Sequence, residues 1–231
     1  MFQYGTFLRL SEIYMSRYEA LPYVRESVTF FNNRNEKIME ARARLTYFFL
    51  LALTSDLSLA YDELNHCKRL VNSVHYWDGI LALNEGSILL LQEKYGKKAD
   101  YLLRKAELSI NSPFDMLLTL TMLMINEYET LQKEVNKTLL KRIEKLLLNE
   151  SDKHLICLVA YDLYLYFSKT GDAKQAQKYR QIAENTMEYN VSISYKMKGD
   201  INPYTPNLFE TDWGIGFTFF WNVDVPKPNP L

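Results

Sequence analysis

Residues 159–187 read VAYDLYLYFSKTGDAKQAQKYRQIAENTM: an apolar and aromatic run, a turn at Thr170-Gly171-Asp172, then a more polar stretch with Ala176, Tyr179 and Ala183 at helical spacing. Gly and Asp punctuate helical periodicity, so the pattern predicts two antiparallel helices, about 153–170 and 173–189, joined by a short turn. Such a hairpin can bury its apolar sides only against its own partner and its neighbours, so the same pattern is expected again along the chain.

Working outward, the chain predicts hairpins at about 36–54 with 57–72, 77–93 with 96–109, and 114–131 with 134–149. Their turns fall at Thr54-Ser55-Asp56 and near Tyr95-Gly96. Asn111-Ser112-Pro113 closes the second pair, and Ser151 or Asp152 can cap the helix that follows the third. Residues 5–33 predict one more, less regular pair, broken at Leu21-Pro22. Small residues that let paired helices approach closely stand early in second helices at Ala60, Ala99 and Ala176, 39 and then 77 residues apart. The second interval is close to twice the first, which is the signature of a helical solenoid. The third pair departs from it, with Thr138 or Leu139 at the corresponding place.

The positions of Leu163, Phe167, Gly171, Asp172, Ala176, Tyr179 and Ala183 resemble the tetratricopeptide repeat. The likeness extends more loosely to Phe48, Ala60 and Cys67 in the first pair and to Ala99 and Ala106 in the second. It implies an all-α, right-handed solenoid of about five antiparallel hairpins, with a concave groove lined by the first helix of each pair and holding a peptide or partner helix. Tyr47, Asn84, Tyr128, Tyr161 and Tyr164 are the candidate partner contacts on those helices. The resemblance carries no catalytic residue with it.

Composition agrees with this architecture. The 231 residues are 48% hydrophobic, enough for a sizeable core, and the first 198 hold only two of the seven prolines. A net charge of −1 with mixed signs excludes a general nucleic-acid stripe. The local cluster Lys137, Lys141, Arg142 and Lys145 is interleaved with Glu134, Glu144 and Glu150 and reads as a solvated helix face. Cys67 and Cys157 lie in apolar helical patterns, as buried free thiols do. The N-terminus lacks the pattern of a secretory signal, and the longest apolar stretches, around 45–53 and 117–125, are far short of a membrane span. The expected setting is cytoplasmic.

After Asn190 the period changes. Val191, Ile193, Tyr195 and Met197 alternate with Ser192, Ser194, Lys196 and Lys198. Trp213, Ile215, Phe217, Phe219, Trp221, Val223 and Val225 alternate with Gly214, Gly216, Thr218, Phe220, Asn222 and Asp224. Alternation of this kind predicts two antiparallel strands, about 190–198 and 213–224, so that 1–190 form the helical domain and 191–231 a β-hairpin with a proline-rich tail packed on the last helices. The ribbon either caps the last hairpin or offers an edge to a partner, and Phe220, on the face opposite its neighbours, joins the candidate contacts. The glycines at 214 and 216 thin one face so that another group can lie close to it.

No chemistry-bearing constellation emerges. Glu63 and His66 have the spacing of a di-iron carboxylate motif, but no second copy accompanies them. His66 and Cys67 project about 100° apart on a helix and cannot share an ion. Cys157 has no neighbouring base, and Trp213-Gly214-Ile215-Gly216 is followed by no helix or phosphate-binding lysine. Asp78, Glu85, Asp115 and Glu127 are the scattered carboxylates an enzyme would have to assemble. The expectation is a non-catalytic protein- or peptide-binding scaffold without a cofactor, or a sensor subunit acting through a separate effector, since the chain carries neither a helix-turn-helix nor a nucleotide loop.

Overall fold

Most of the predicted turns end one helix and cap the next, and this sets the architecture. In the computed structural model, which describes residues 17–53, 56–71, 75–132, 135–199 and 211–216, the helices are α1 (Arg17–Asn33), α2 (Lys37–Leu53), α3 (Leu57–Val71), α4 (His75–Leu91), α5 (Lys97–Ser109), α6 (Pro113–Leu131), α7 (Lys137–Leu147), α8 (Lys153–Thr170), α9 (Ala173–Thr186) and α10 (Val191–Lys198). The Asp56 carboxylate accepts the Leu59 N–H at 3.1 Å, and the Asp152 carboxylate accepts that of Leu155 at 2.9 Å. Ser112 caps α6 with Pro113 at its first position, where the missing N–H costs no bond. Gly171 adopts the left-handed φ of 83° that stops α8, and Asp172 caps α9 by accepting from Gln175.

These short links pair α2 with α3, α4 with α5, α6 with α7 and α8 with α9, while α1 packs on α2. The first helices of successive pairs also touch, α4 against α6 and α6 against α8. This is the adjacent packing of a helical-repeat fold. Ala60 and Ala99 are fully buried and Ala176 nearly so, as close helix approach requires, and Leu139 fills the corresponding place in the third pair. One continuous apolar core runs from Ala41 to Tyr179 and takes in Trp213 and Ile215. No helix among the described residues is long and apolar enough to cross a membrane.

Two expectations are corrected. The chain does not break at Leu21-Pro22: α1 runs through Pro22 at its sixth position, where the proline removes one backbone bond and its ring crowds the carbonyl one turn earlier. The predicted β-hairpin is absent among the described residues, where no strand occurs. Residues 191–198 form α10, because Asn190 accepts the Ile193 N–H and Gly199 closes the end at a φ of 69°. Over eight residues an alternating pattern also contains the i, i+4 pair Ile193 and Met197, and both pack beside Cys157, Ala160, Tyr161 and Ala183. It is α10, therefore, that covers the last hairpin. Residues 211–213 bend and 214–216 take no regular secondary structure, without strand pairing, and 217–224, with Phe220, lie outside the described residues.

Candidate functional site

The segment 211–216 (TDWGIG) crosses α6 and α8, helices that bring their first-of-pair faces together, and it is held largely through its main chain. Lys196 on α10 donates its three N–H groups to three successive carbonyls, those of Thr211, Asp212 and Trp213, at 2.8, 3.0 and 2.7 Å. Tyr161 on α8 donates its hydroxyl to the Asp212 carbonyl at 3.1 Å. Next to it on α8, Asp162 accepts the Gly214 N–H on Oδ1 at 2.6 Å, while its Oδ2 is buried without a hydrogen-bond partner. At the entrance, the Thr211 hydroxyl lies 3.2 Å from that of Tyr95, which follows α4.

The side chains of the segment are read as closely. Trp213 is 1% exposed. Its indole N–H donates to Glu129 of α6 at 2.7 Å, Tyr128 meets its ring edge-on at 5.8 Å, and the Lys169 ammonium sits 5.6 Å over it. From there aromatic contacts continue through Tyr166 and Phe167 to Tyr179, which stacks 5.6 Å from Phe167 and donates its hydroxyl to Glu144. A Cβ at Gly214 would lie 3.1 Å from Ile193 Cδ1 and 3.2 Å from Asp162 Oδ1; one at Gly216 would lie 2.4 Å from Leu118 Cδ1. A side chain at the second position fits only if the Leu118 methyls move aside.

Burial dominates the electrostatics. It pushes the Asp162 carboxyl well above the usual carboxylate range, against the pull of the Gly214 N–H and of Lys196. Burial also lowers the Lys196 ammonium to about 8, although Asp162 and Asp212 favour its charge. The Tyr161 hydroxyl is raised by burial and then by Asp162. These groups are spent on backbone bonds.

The predicted contacts divide. Tyr128 and Tyr161 touch the segment, and Tyr164 packs 6.2 Å from Tyr161. Asn84 is fully buried, its amide bonded to the Ile80 carbonyl of its own helix, and Tyr47 lines a separate surface pocket with Leu21, Pro22, Arg25, Glu26 and Thr29. Of the scattered carboxylates, Glu85 pairs with Lys68 at 2.6 Å, Glu127 accepts the Asn136 N–H, and Asp115 is buried at the start of α6. Glu63 is engaged by Arg44, and among the described residues no group of three or more His, Cys, Asp or Glu could hold a metal. Cys67 and Cys157 are buried free thiols; burial raises both, Cys157 to about 11.

Sequence reasoning missed Asp162, Lys196, Glu129 and Tyr95. Asp162 carried the one available signal, a lone carboxylate inside LVAYDLYLYF, since a charge in an apolar helix needs a partner. The chain matches no known protein family, and no curated protein or solved structure resembles it significantly.

Proposed function

We propose that this chain is a non-catalytic module of tetratricopeptide type that binds an extended peptide across α6 and α8, and that segment 211–216 holds the same place in cis. The carrying observation is the set of side-chain bonds to main-chain groups: Lys196 to three carbonyls, Tyr161 to a fourth contact, Asp162 to an N–H. Contacts to main chain suit an extended peptide of any origin, much as strand addition relies on backbone bonds for affinity. The occupied site also favours the regulatory variant of this reading, in which a partner displaces the resident segment. Among the described residues the raised Asp162 is the observation on the side of an enzyme, and its basic neighbour Lys196 has its donors committed.

The test uses the full chain carrying Gly216→Val, which drives a side chain against Leu118 and Leu158 and is expected to dislodge the segment, loss of Gly214 amide protection being the check. A random peptide library displayed on phage is selected against it and against the unsubstituted chain. The expected result is enrichment on the variant, protection of α6 and α8 amides by the selected peptides, and loss of binding with Lys196→Met. A variant that keeps its helical circular dichroism and enriches no peptide refutes the proposal.

A further inference from the structure

The segment that fills the face also displays what the face selects. Three subsites are built around it. The first is a pocket that encloses an aromatic ring and ends in the Glu129 carboxylate, 2.7 Å from the indole nitrogen. Phenylalanine has no donor for that carboxylate, and a tyrosine hydroxyl projects from the far end of its ring instead of the indole edge. The second is the floor at Gly214, bounded by Ile193 and by Asp162, which has an unpartnered Oδ2 inside a fully buried carboxyl. The third is the wall at Gly216, where Leu118 and Leu158 stand 2.4 and 3.2 Å from the place of a Cβ. Between the glycines, Ile215 is buried in the main core. The Asp212 carboxylate by contrast is exposed and pairs with Lys169 at 3.5 Å.

From these subsites we infer that the partner recognised here presents an extended Trp-Gly-apolar-Gly segment, preceded two residues earlier by a small hydroxyl residue as in Thr211. This rests on the peptide-binding reading above and names its ligand class. The resident copy competes in cis, so the partner's segment binds weakly until the resident one is dislodged. The face is then a selective, self-shielded reader.

The experiment titrates fluorescein-labelled TDWGIG and single variants of it against full-length Gly216→Val by anisotropy, with full-length Trp213→Ala as a second receptor should the first fail to fold. TDWGIG is expected to bind saturably, and more weakly to the unsubstituted chain. Phe for Trp is expected to weaken binding by at least about tenfold through loss of a bond to a charged acceptor. Ala for the second Gly is expected to weaken it by a similar factor, about tenfold or more, through overpacking against Leu118. Ala for Asp is expected to change little. If all variants bind alike, or if TDWGIG fails while library-selected peptides of other sequence bind, the motif is overturned and the peptide-binding reading stands. If neither TDWGIG nor any selected peptide binds, both fall. A concentration-dependent dimer of the unsubstituted chain that Trp213→Ala abolishes overturns the separate partner in favour of a second copy's segment.

Discussion

Replacing Trp213 tests how the segment is held. The side chain is 1% exposed, so nearly all of its surface is withdrawn from water. A buried tryptophan covers about 200 Å², worth about 5 kcal/mol at about 25 cal/mol per Å² as an upper bound. Trp→Ala changes in cores cost about 3–5 kcal/mol, in agreement with that bound. The reporter is the Gly214 amide, whose N–H is donated to the buried Asp162 and exchanges only when the segment lifts. For Trp213→Ala its hydrogen exchange should accelerate by about two to three orders of magnitude, at about 1.4 kcal/mol per factor of ten. Trp213→Phe keeps most of the ring but loses the bond to Glu129 and should accelerate it by about ten- to a hundredfold. Amides of α2 and α3, remote from the segment, should keep their protection in both variants. An acceleration below about tenfold for Trp213→Ala would mean that the pocket does not anchor the segment. Equal acceleration throughout α2 and α3 would mean that the segment is inseparable from the global core, which refutes its treatment as a detachable ligand.

Asp162 gives a pH signature. Its folded pKa lies above the unfolded value of 3.8, so its contribution to stability is complete below that value and is lost as pH rises through the folded one. Urea unfolding should therefore show this contribution declining from about pH 4 upward, and Asp162→Asn, which keeps an acceptor for Gly214, should remove that decline; identical pH slopes in the two proteins would count against it. Lys196 acts in the opposite sense: its pKa is depressed to about 8 from 10.5, so its contribution is present above 10.5 and lost as pH falls through 8, and Lys196→Met should flatten that alkaline rise. Gly171→Ala places a side chain at a φ of 83° and should cost about 1–2 kcal/mol in thermal unfolding, with no change in Gly214 exchange. Ala99→Leu overfills the fully buried contact between α4 and α5 and should cost about 1–3 kcal/mol or more; a neutral result would mean the small-residue register is not what sets the helix spacing.

Most of the helical stack was legible because its signals are local. Thr170-Gly171-Asp172, Ser112-Pro113 and Asp152 each fix a helix end within a few residues, and Ala60, Ala99 and Ala176 mark the close contacts. Residues 191–198 misled because eight alternating residues satisfy two periods at once; Asn190 and Gly199, both capping residues, were the evidence for a helix. The site was legible only in fragments. Tyr128 and Tyr161 follow from lying on first helices, but their partners lie 85 and 51 residues along the chain, in a segment whose own pattern reads as a strand. The glycines at 214 and 216 did signal close approach; what approaches them, Asp162 and Leu118, is set by tertiary packing alone.

The chemistry of that packing bears on the proposed displacement of the segment. A sequence selected only to seal the stack would present apolar side chains to α6 and α8, since replacing buried charge by well-packed hydrophobic groups is often stabilising. Here the contact buries a carboxyl with one oxygen unpartnered and an ammonium whose pKa is pulled down to about 8, and both are penalised by burial. Trp213 and Ile215 supply the hydrophobic gain, and the desolvation of Asp162 and Lys196 offsets part of it. The net attachment is weaker than the buried area alone would give, while its geometry is more specific, because each polar group accepts only one backbone register. Weak attachment with strict register is what a resident segment requires if a partner of the same local sequence is to replace it. Converting both Asp162 and Lys196 to leucine should then fasten or loosen the segment without regard to register, and the selectivity between TDWGIG and its alanine-substituted forms should collapse; a double variant that keeps that selectivity would place its origin in the Trp213 pocket and the Leu118 wall alone.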